Sequence, residues 1–269
     1  MPSLQPHVRE AGAGPAVVCL HSNASHSGQW RDLMSQLSPQ YRVLAPDSFG
    51  SGQSPDWHSD RVISLSDEVD LLAPMIDGLD APFSVVGHSY GAAIALKLAL
   101  RYPGRVGALA LYEPTLFSLI DADSSPPNDA DGIRDTGSAA ATALEAGNKD
   151  LAAKVFIDYW MGPGSWDGTP PQRQPVIADS VANVRRWGYA LFTEPTPLSA
   201  FATLDIPVLY MTGGRSTQAA KGVARRLLSV LPQARHLEFE TLGHMGPLTH
   251  AQQVNEAIAG FMSGLSAHP

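Results

Sequence analysis

The residues Phe83-Ser84-Val85-Val86-Gly87-His88-Ser89-Tyr90-Gly91 constrain this chain more than any other stretch. A short β-rich apolar run leads into Gly-x-Ser-x-Gly, and an Ala-rich helical pattern follows from Ala92 to Leu100. A strand that turns sharply into a helix lifts the serine hydroxyl clear of the chain. Gly87 and Gly91 permit close backbone approach at that turn. The helix behind it aims its N-terminal N–H groups at the point where negative charge would develop. Taken alone, the pentapeptide also reads as a Gly-Ser turn between a strand and a helix, so its meaning depends on the rest of the chain.

That rest has a rhythm. Ala16 to Leu20 is a continuous apolar run bounded by turn residues, which reads as a strand buried on both faces of a parallel sheet. Gln29 to Leu37 is a helical pattern stopped at Pro39, and Tyr41 to Ala45 is the next strand. Ser66 to Leu79 reads as a helix capped by Ser66, with Asp67 and Glu68 favouring its dipole. Phe83 to Val86, the helix Ala92 to Arg101 and the strand Val106 to Tyr112 complete four strand–helix alternations. Pro6 to Glu10 adds a short edge strand. This is the pattern of an α/β fold with a mostly parallel central sheet flanked by helices. Ligands in such sheets sit at the carboxyl ends of the strands. His21 to Ser25, Asp47, Ser89 and Glu113 all follow strands directly.

After Tyr112 the rhythm breaks. Ser118 to Asp131 is an Asp/Ser/Pro-rich loop, Ser138 to Gly147 and Leu151 to Met161 read as helices, and Val176 to Phe192 as a further helix. We read 118–199 as a helical cap inserted into a core domain made of 1–117 and 200–269. Strands Ile206 to Met211 and His236 to Glu240, with helices Thr217 to Leu231 and Asn255 to Met262, resume the alternation.

Composition narrows the partners. With 44% apolar and 16% charged residues in 269, the chain is globular. A net charge of −8 argues against nucleic acid or an anionic membrane surface as partner. The single cysteine, Cys19, forms no intrachain disulfide and no Cys-based metal cluster, and reads as an inert core thiol. Met1 to Gly14 carries no basic region followed by an apolar run, and no stretch reaches membrane-spanning length, so a cytoplasmic location is expected. No cofactor or metal is implied, and the oligomeric state, monomer or homodimer, stays open.

A serine hydroxyl needs a base within hydrogen-bond reach, and the base needs an orienting acid. Of nine histidines, His244 suits best: it follows the last strand in Leu242-Gly243-His244-Met245-Gly246-Pro247. His88 points away into the packing, His21 braces its own loop, and the sequence leaves His26 undecided.

Four blocks in order then resemble the α/β-hydrolase superfamily, most closely small bacterial capped serine hydrolases. They are His21-Ser22-Asn23, Pro46-Asp47-Ser48-Phe49-Gly50-Ser51-Gly52-Gln53-Ser54, Gly87-His88-Ser89-Tyr90-Gly91 and Gly243-His244-Met245-Gly246-Pro247. The resemblance implies backbone oxyanion donors at Asn23 and Tyr90, although Ser22 stands where relatives usually have glycine. The acid departs from the usual pattern. Most relatives place an aspartate after the strand that follows the cap, where this chain reads Gly213-Gly214-Arg215-Ser216-Thr217. A minority, some haloalkane dehalogenases among them, take it from the end of the preceding strand, here Leu111-Tyr112-Glu113-Pro114. Glu113 is the only acid between Asp80 and Asp121.

The expectation is a serine hydrolase acting on a small carboxylic ester through Ser89, His244 and Glu113. A C–C bond hydrolase, lactonase, thioesterase, acyltransferase or perhydrolase shares that machinery, and a non-catalytic ligand receptor shares the pocket. Ser89 excludes activities that need a carboxylate nucleophile. Tyr159, Trp160, Met161, Trp166 and Trp187 suggest an apolar or aromatic substrate group, and equally suit a helical core.

Overall fold

A computed structural model describes residues 4–181 and 183–266. Among the described residues seven strands form one sheet: β1 (Val8–Ala11), β2 (Ala16–Leu20), β3 (Arg42–Pro46), β4 (Phe83–His88), β5 (Val106–Tyr112), β6 (Val208–Gly213) and β7 (Ala234–Phe239). Their spatial order is β1-β3-β2-β4-β5-β6-β7. Only β1 runs antiparallel to its neighbour, and the remaining pairs are parallel.

The alternation of side chains along each strand divides the core in two. Val18, Leu20, Val85, Leu109, Leu111 and Tyr210 face one way. There they meet α2 (Leu65–Asp77), α3 (Tyr90–Arg101) and, further along the chain, the helix Gln218–Leu228. Val17, Cys19, Val86, Ala110, Tyr112 and Met211 face the other way. They pack on α1 (Arg31–Leu37) and on the C-terminal helix Ala251–Ser266. Both faces of the central strands are therefore dry, which is why Ala16–Leu20 is apolar without interruption.

Between β5 and β6 the described residues form six helices: α4 (Ser118–Asp123), α5 (Asp131–Glu145), α6 (Lys149–Met161), α7 (Gln174–Val181), α8 (Val184–Phe192) and α9 (Leu198–Phe201). Ile133, Ala140, Phe156, Trp160 and Trp187 from these helices join the same buried cluster as α2 and α3. The chain closes through α10 (Gln218–Leu228), a short α11 (Gly246–Thr249) and α12 (Ala251–Ser266). Among the described residues no helix is long and apolar enough to cross a membrane.

Three local expectations change. The helix assigned to Ser66–Leu79 begins at Leu65 and is capped by Ser64, not Ser66. Ser64 is extended, its side chain accepts from the Asp67 N–H, and Asp67 accepts in return from the Ser64 N–H, a reciprocal box. The loop expected over Ser118 to Asp131 holds the helix α4, whose Leu119 and Ile120 are buried. The single helix expected over Val176 to Phe192 is two, α7 and α8; Ala182 between them lies outside the described residues.

Candidate active site

The parallel ladder continues one residue beyond the strands and sets the site. His88 of β4 pairs with Tyr112 of β5, and Tyr112 with Met211 of β6. Past those positions the Ser89 N–H donates to the Tyr112 carbonyl at 2.9 Å, and the Glu113 N–H to the Met211 carbonyl at 3.1 Å. Ser89 and Glu113 thus leave adjacent strands at the same height. Both have left-handed backbones, φ +56° and +45°, a conformation that costs a residue with a Cβ on the order of 1–3 kcal/mol. Neighbouring glycines make the turn at Ser89 possible. A Cβ on Gly87 would lie 2.6 Å from Ala92 Cα, and one on Gly91 would collide with the Leu20 and His21 carbonyls. The loop after β2 is therefore locked against the serine turn.

His244, between β7 and α11, completes a chain of hydrogen bonds. Ser89 Oγ lies 2.9 Å from His244 Nε2, and His244 Nδ1 lies 2.7 Å from Glu113 Oε2. The other carboxyl oxygen, Oε1, accepts the Gly213 N–H at 2.7 Å. A carboxylate only accepts, so the imidazole carries its proton on Nδ1 and presents a lone pair to the serine. All three are sealed: Ser89 is 6% exposed, His244 2% and Glu113 0%.

Other side chains hold His244 in place. The Tyr112 hydroxyl donates to the Gly243 carbonyl at 2.8 Å, beside His244. The buried His88 donates from Nε2 to the His244 carbonyl at 2.8 Å and accepts the Gln29 amide at Nδ1, 3.1 Å away. Burial above all, and then the nearby His244, hold the His88 pKa well below the usual imidazole range. It serves as a neutral strut. Gln29 also accepts from the Ser22 N–H and hydroxyl, both at 3.1 Å, so one amide links the His88 ring to the loop carrying Asn23.

His21 bridges two loops: it donates from Nδ1 to the Ser22 carbonyl at 2.7 Å and accepts the Ser48 N–H at 3.1 Å. His26 is exposed and caps a short helical turn by accepting the Gly28 N–H. Asp47 accepts from the Ser27 and Gln53 N–H groups at 2.6 and 3.0 Å, tying loops together. Asn23 Oδ1 is buried with no hydrogen-bond partner. Tyr90 opens α3 and follows Ser89 directly.

The sequence grouped Trp160 with the other aromatics, and the structure stacks it on His244, with ring centroids 4.0 Å apart and planes 28° from parallel. Trp187 lies 6.0 Å from the Tyr90 ring, Trp166 is buried among the helices, and Met161 is 45% exposed.

Glu68, expected from the sequence only to favour the helix dipole, is instead a buried acid. Glu68 of α2 accepts the Phe49 N–H at 3.2 Å and the Tyr90 hydroxyl at 3.1 Å. Its burial pushes its pKa up to about 8. The signal was present in the sequence: Glu68 lies three residues after Leu65 and four before Leu72, on the buried face of an amphipathic helix. Among the described residues, no group of three or more His, Cys, Asp or Glu side chains is placed to hold a metal ion.

Comparison with known proteins points the same way as the sheet. A family model described as alpha/beta hydrolase fold matches residues 15–251. The chain is 39% identical over 274 residues to Lipase LipV of Mycobacterium tuberculosis, covering 94% of this chain and 95% of that protein. It is 28% identical over 258 residues to a pimeloyl-[acyl-carrier protein] methyl ester esterase of Nitrosomonas europaea, covering 92% and 95%. A thermophilic esterase from Thermogutta terrifontis superposes with a TM-score of 0.76 at 19% identity, covering 96% and 93% of the two chains. At that identity the likeness bears on the fold.

Proposed function

Because the chain belongs to the α/β-hydrolase fold family, we propose that it is a serine hydrolase that cleaves a small carboxylic ester through an acyl-enzyme. The observation that carries this reading is the unbroken hydrogen-bond chain Ser89–His244–Glu113. An esterase and a lipase among the relatives are consistent with it.

In this mechanism His244 Nε2 takes the Ser89 proton as Oγ attacks the ester carbonyl. The N–H groups of Asn23 and Tyr90 hold the oxyanion, and each such donor contributes on the order of 3 kcal/mol to the transition state. His244 then returns the proton to the leaving alcohol, and a water enters. His244 takes a proton from that water as its oxygen attacks the acyl carbon, then gives the proton to Ser89 Oγ as the acyl–oxygen bond breaks and the carboxylic acid leaves. Glu113 keeps the imidazole in the productive tautomer and stabilises its cationic form. The Gly213 N–H holds the second carboxyl oxygen of Glu113, so the acid cannot rotate away from the ring.

The test is Ser89→Ala, read on short-chain nitrophenyl esters and with a fluorophosphonate probe. The expected result is loss of labelling and a fall in kcat of about 10⁶, the scale seen when a serine protease loses its nucleophile. Ester turnover at the wild-type rate in a folded Ser89→Ala protein overturns the reading.

A further inference from the structure

The base uses only the edge of its ring. Nδ1 meets Glu113 and Nε2 meets Ser89, both in the imidazole plane, which leaves two faces for other contacts. One face is covered by the indole of Trp160, nearly parallel at 4.0 Å. The His88 ring lies 5.3 Å from the imidazole at a tilt of 47°.

Trp160 is itself firmly seated. It packs edge-on against Tyr159 at 4.8 Å and Phe156 at 6.3 Å, and stacks at 6.5 Å on Phe117, which follows β5. Phe117 in turn meets Phe192 of α8 at 5.1 Å. Aromatic contacts from the loop after β5, from α6 and from α8 therefore fix the plane of the indole. It is 8% exposed, so both stacked rings are removed from water.

We propose that Trp160 is a positioning residue for His244, holding the imidazole in the plane of Ser89 and Glu113 and stabilising the imidazolium through its π-face. The inference rests on the serine-hydrolase reading above. When His244 accepts the serine proton, a positive charge appears directly beneath the indole. A cation within about 6 Å of an aromatic centroid is attracted by the ring, most strongly for tryptophan and where water is excluded. That attraction is absent while the imidazole is neutral, so it lowers the barrier without tightening ground-state binding. The helices between β5 and β6 thereby supply part of the catalytic apparatus as well as walls.

The experiment compares Trp160→Phe, Trp160→Leu and Trp160→Met with the wild type on a short nitrophenyl ester. Thermal unfolding and fluorophosphonate stoichiometry accompany the kinetics for each protein. Phenylalanine keeps a π-face, whereas leucine and methionine keep apolar volume without one. The expected result is kcat within about threefold of wild type for Trp160→Phe and down by about tenfold or more for the two aliphatic variants, with KM within about twofold throughout. Each folded variant still takes up one equivalent of probe at Ser89. Equal kcat for the phenylalanine and aliphatic variants overturns the role of Trp160, as does a change confined to KM. Failure of the wild type itself to label at Ser89 is a different result and overturns the serine-hydrolase reading together with this one. Should Trp160→Leu not fold, Trp160→Met, with its adaptable shape, decides the matter.

Discussion

Glu113 and Glu68 are two glutamates sealed from solvent at 0% and 1% exposure, and they differ in what faces them. Glu113 follows β5 and meets an imidazole, which can become a cation, and the Gly213 N–H. Glu68 sits on α2 and meets only neutral donors, the Phe49 N–H and the Tyr90 hydroxyl. Burying a carboxyl group is costly unless something compensates it. Beside Glu113 the compensation is the His244 imidazole together with the Gly213 N–H. Beside Glu68 no charge balances the carboxylate, so the group keeps its proton, with a pKa of about 8. The same side chain is thus the imidazole's partner at the end of β5 and a neutral hydrogen-bonding partner of Tyr90 on α2.

Glu113→Gln tests the first half of this contrast and carries the largest effect. The amide retains size and the Gly213 bond but reverses the preference for the imidazole tautomer. A fall in kcat of about 10⁴ is expected, the scale found when the orienting acid of a serine protease is made an amide. Unimpaired turnover in a folded protein would remove Glu113 from the mechanism.

Glu68 is tested through the pH dependence of stability. Its ordinary pKa is 4.5 and its folded value about 8. Between those values the unfolded chain has released the proton and the folded chain retains it. Stability therefore falls as pH rises through this window, with this group contributing up to ~1.4 kcal/mol per pH unit, and levels off above about pH 8. Glu68→Gln is neutral at every pH and should flatten the slope. Urea unfolding of both proteins at pH 5, 6, 7 and 8 measures the difference, and identical slopes would show that Glu68 does not hold its proton on folding.

Tyr90→Phe sharpens the comparison with the smallest effect. It strips one partner from Glu68 and leaves the Tyr90 backbone N–H untouched. A loss of about 1–2 kcal/mol in unfolding free energy is expected from one buried acceptor left unmatched. No loss at all would mean that the hydroxyl bond contributes little to holding Glu68.

Local signals carried much of this in the sequence. The apolar run Ala16–Leu20 announced a doubly covered strand, and the Gly-x-Ser-x-Gly turn announced its own geometry because sterics at Gly87 and Gly91 leave few alternatives. His244 was found by its place on a glycine-flanked loop after a strand. Glu113 came from the family resemblance, which in a minority of members places the acid after the preceding strand, and the structure brings it to His244. What stayed hidden depends on pairings between distant residues. Gln29 and His88 are 59 positions apart, and no property of either announces the amide-to-ring bond. Trp160 stacks on a histidine 84 positions later, and its helical spacing says only that one face is apolar. The start of α2 was legible but misread: Ser64 has Asp67 three residues on to close a reciprocal box, whereas Ser66 has Val69 there.

Cys19 has a practical consequence. It is the only thiol in the chain, lies in the middle of β2 at 0% exposure, and burial pushes its pKa up, away from the reactive thiolate. A maleimide added to the native protein therefore meets a silent background. A cysteine introduced at Met161 on the outer side of α6, paired with a second at an exposed position on α11 such as Leu248, gives two addressable sites for distance measurements. Movement of α6 against the sheet is then readable by fluorescence without first engineering the native cysteine away.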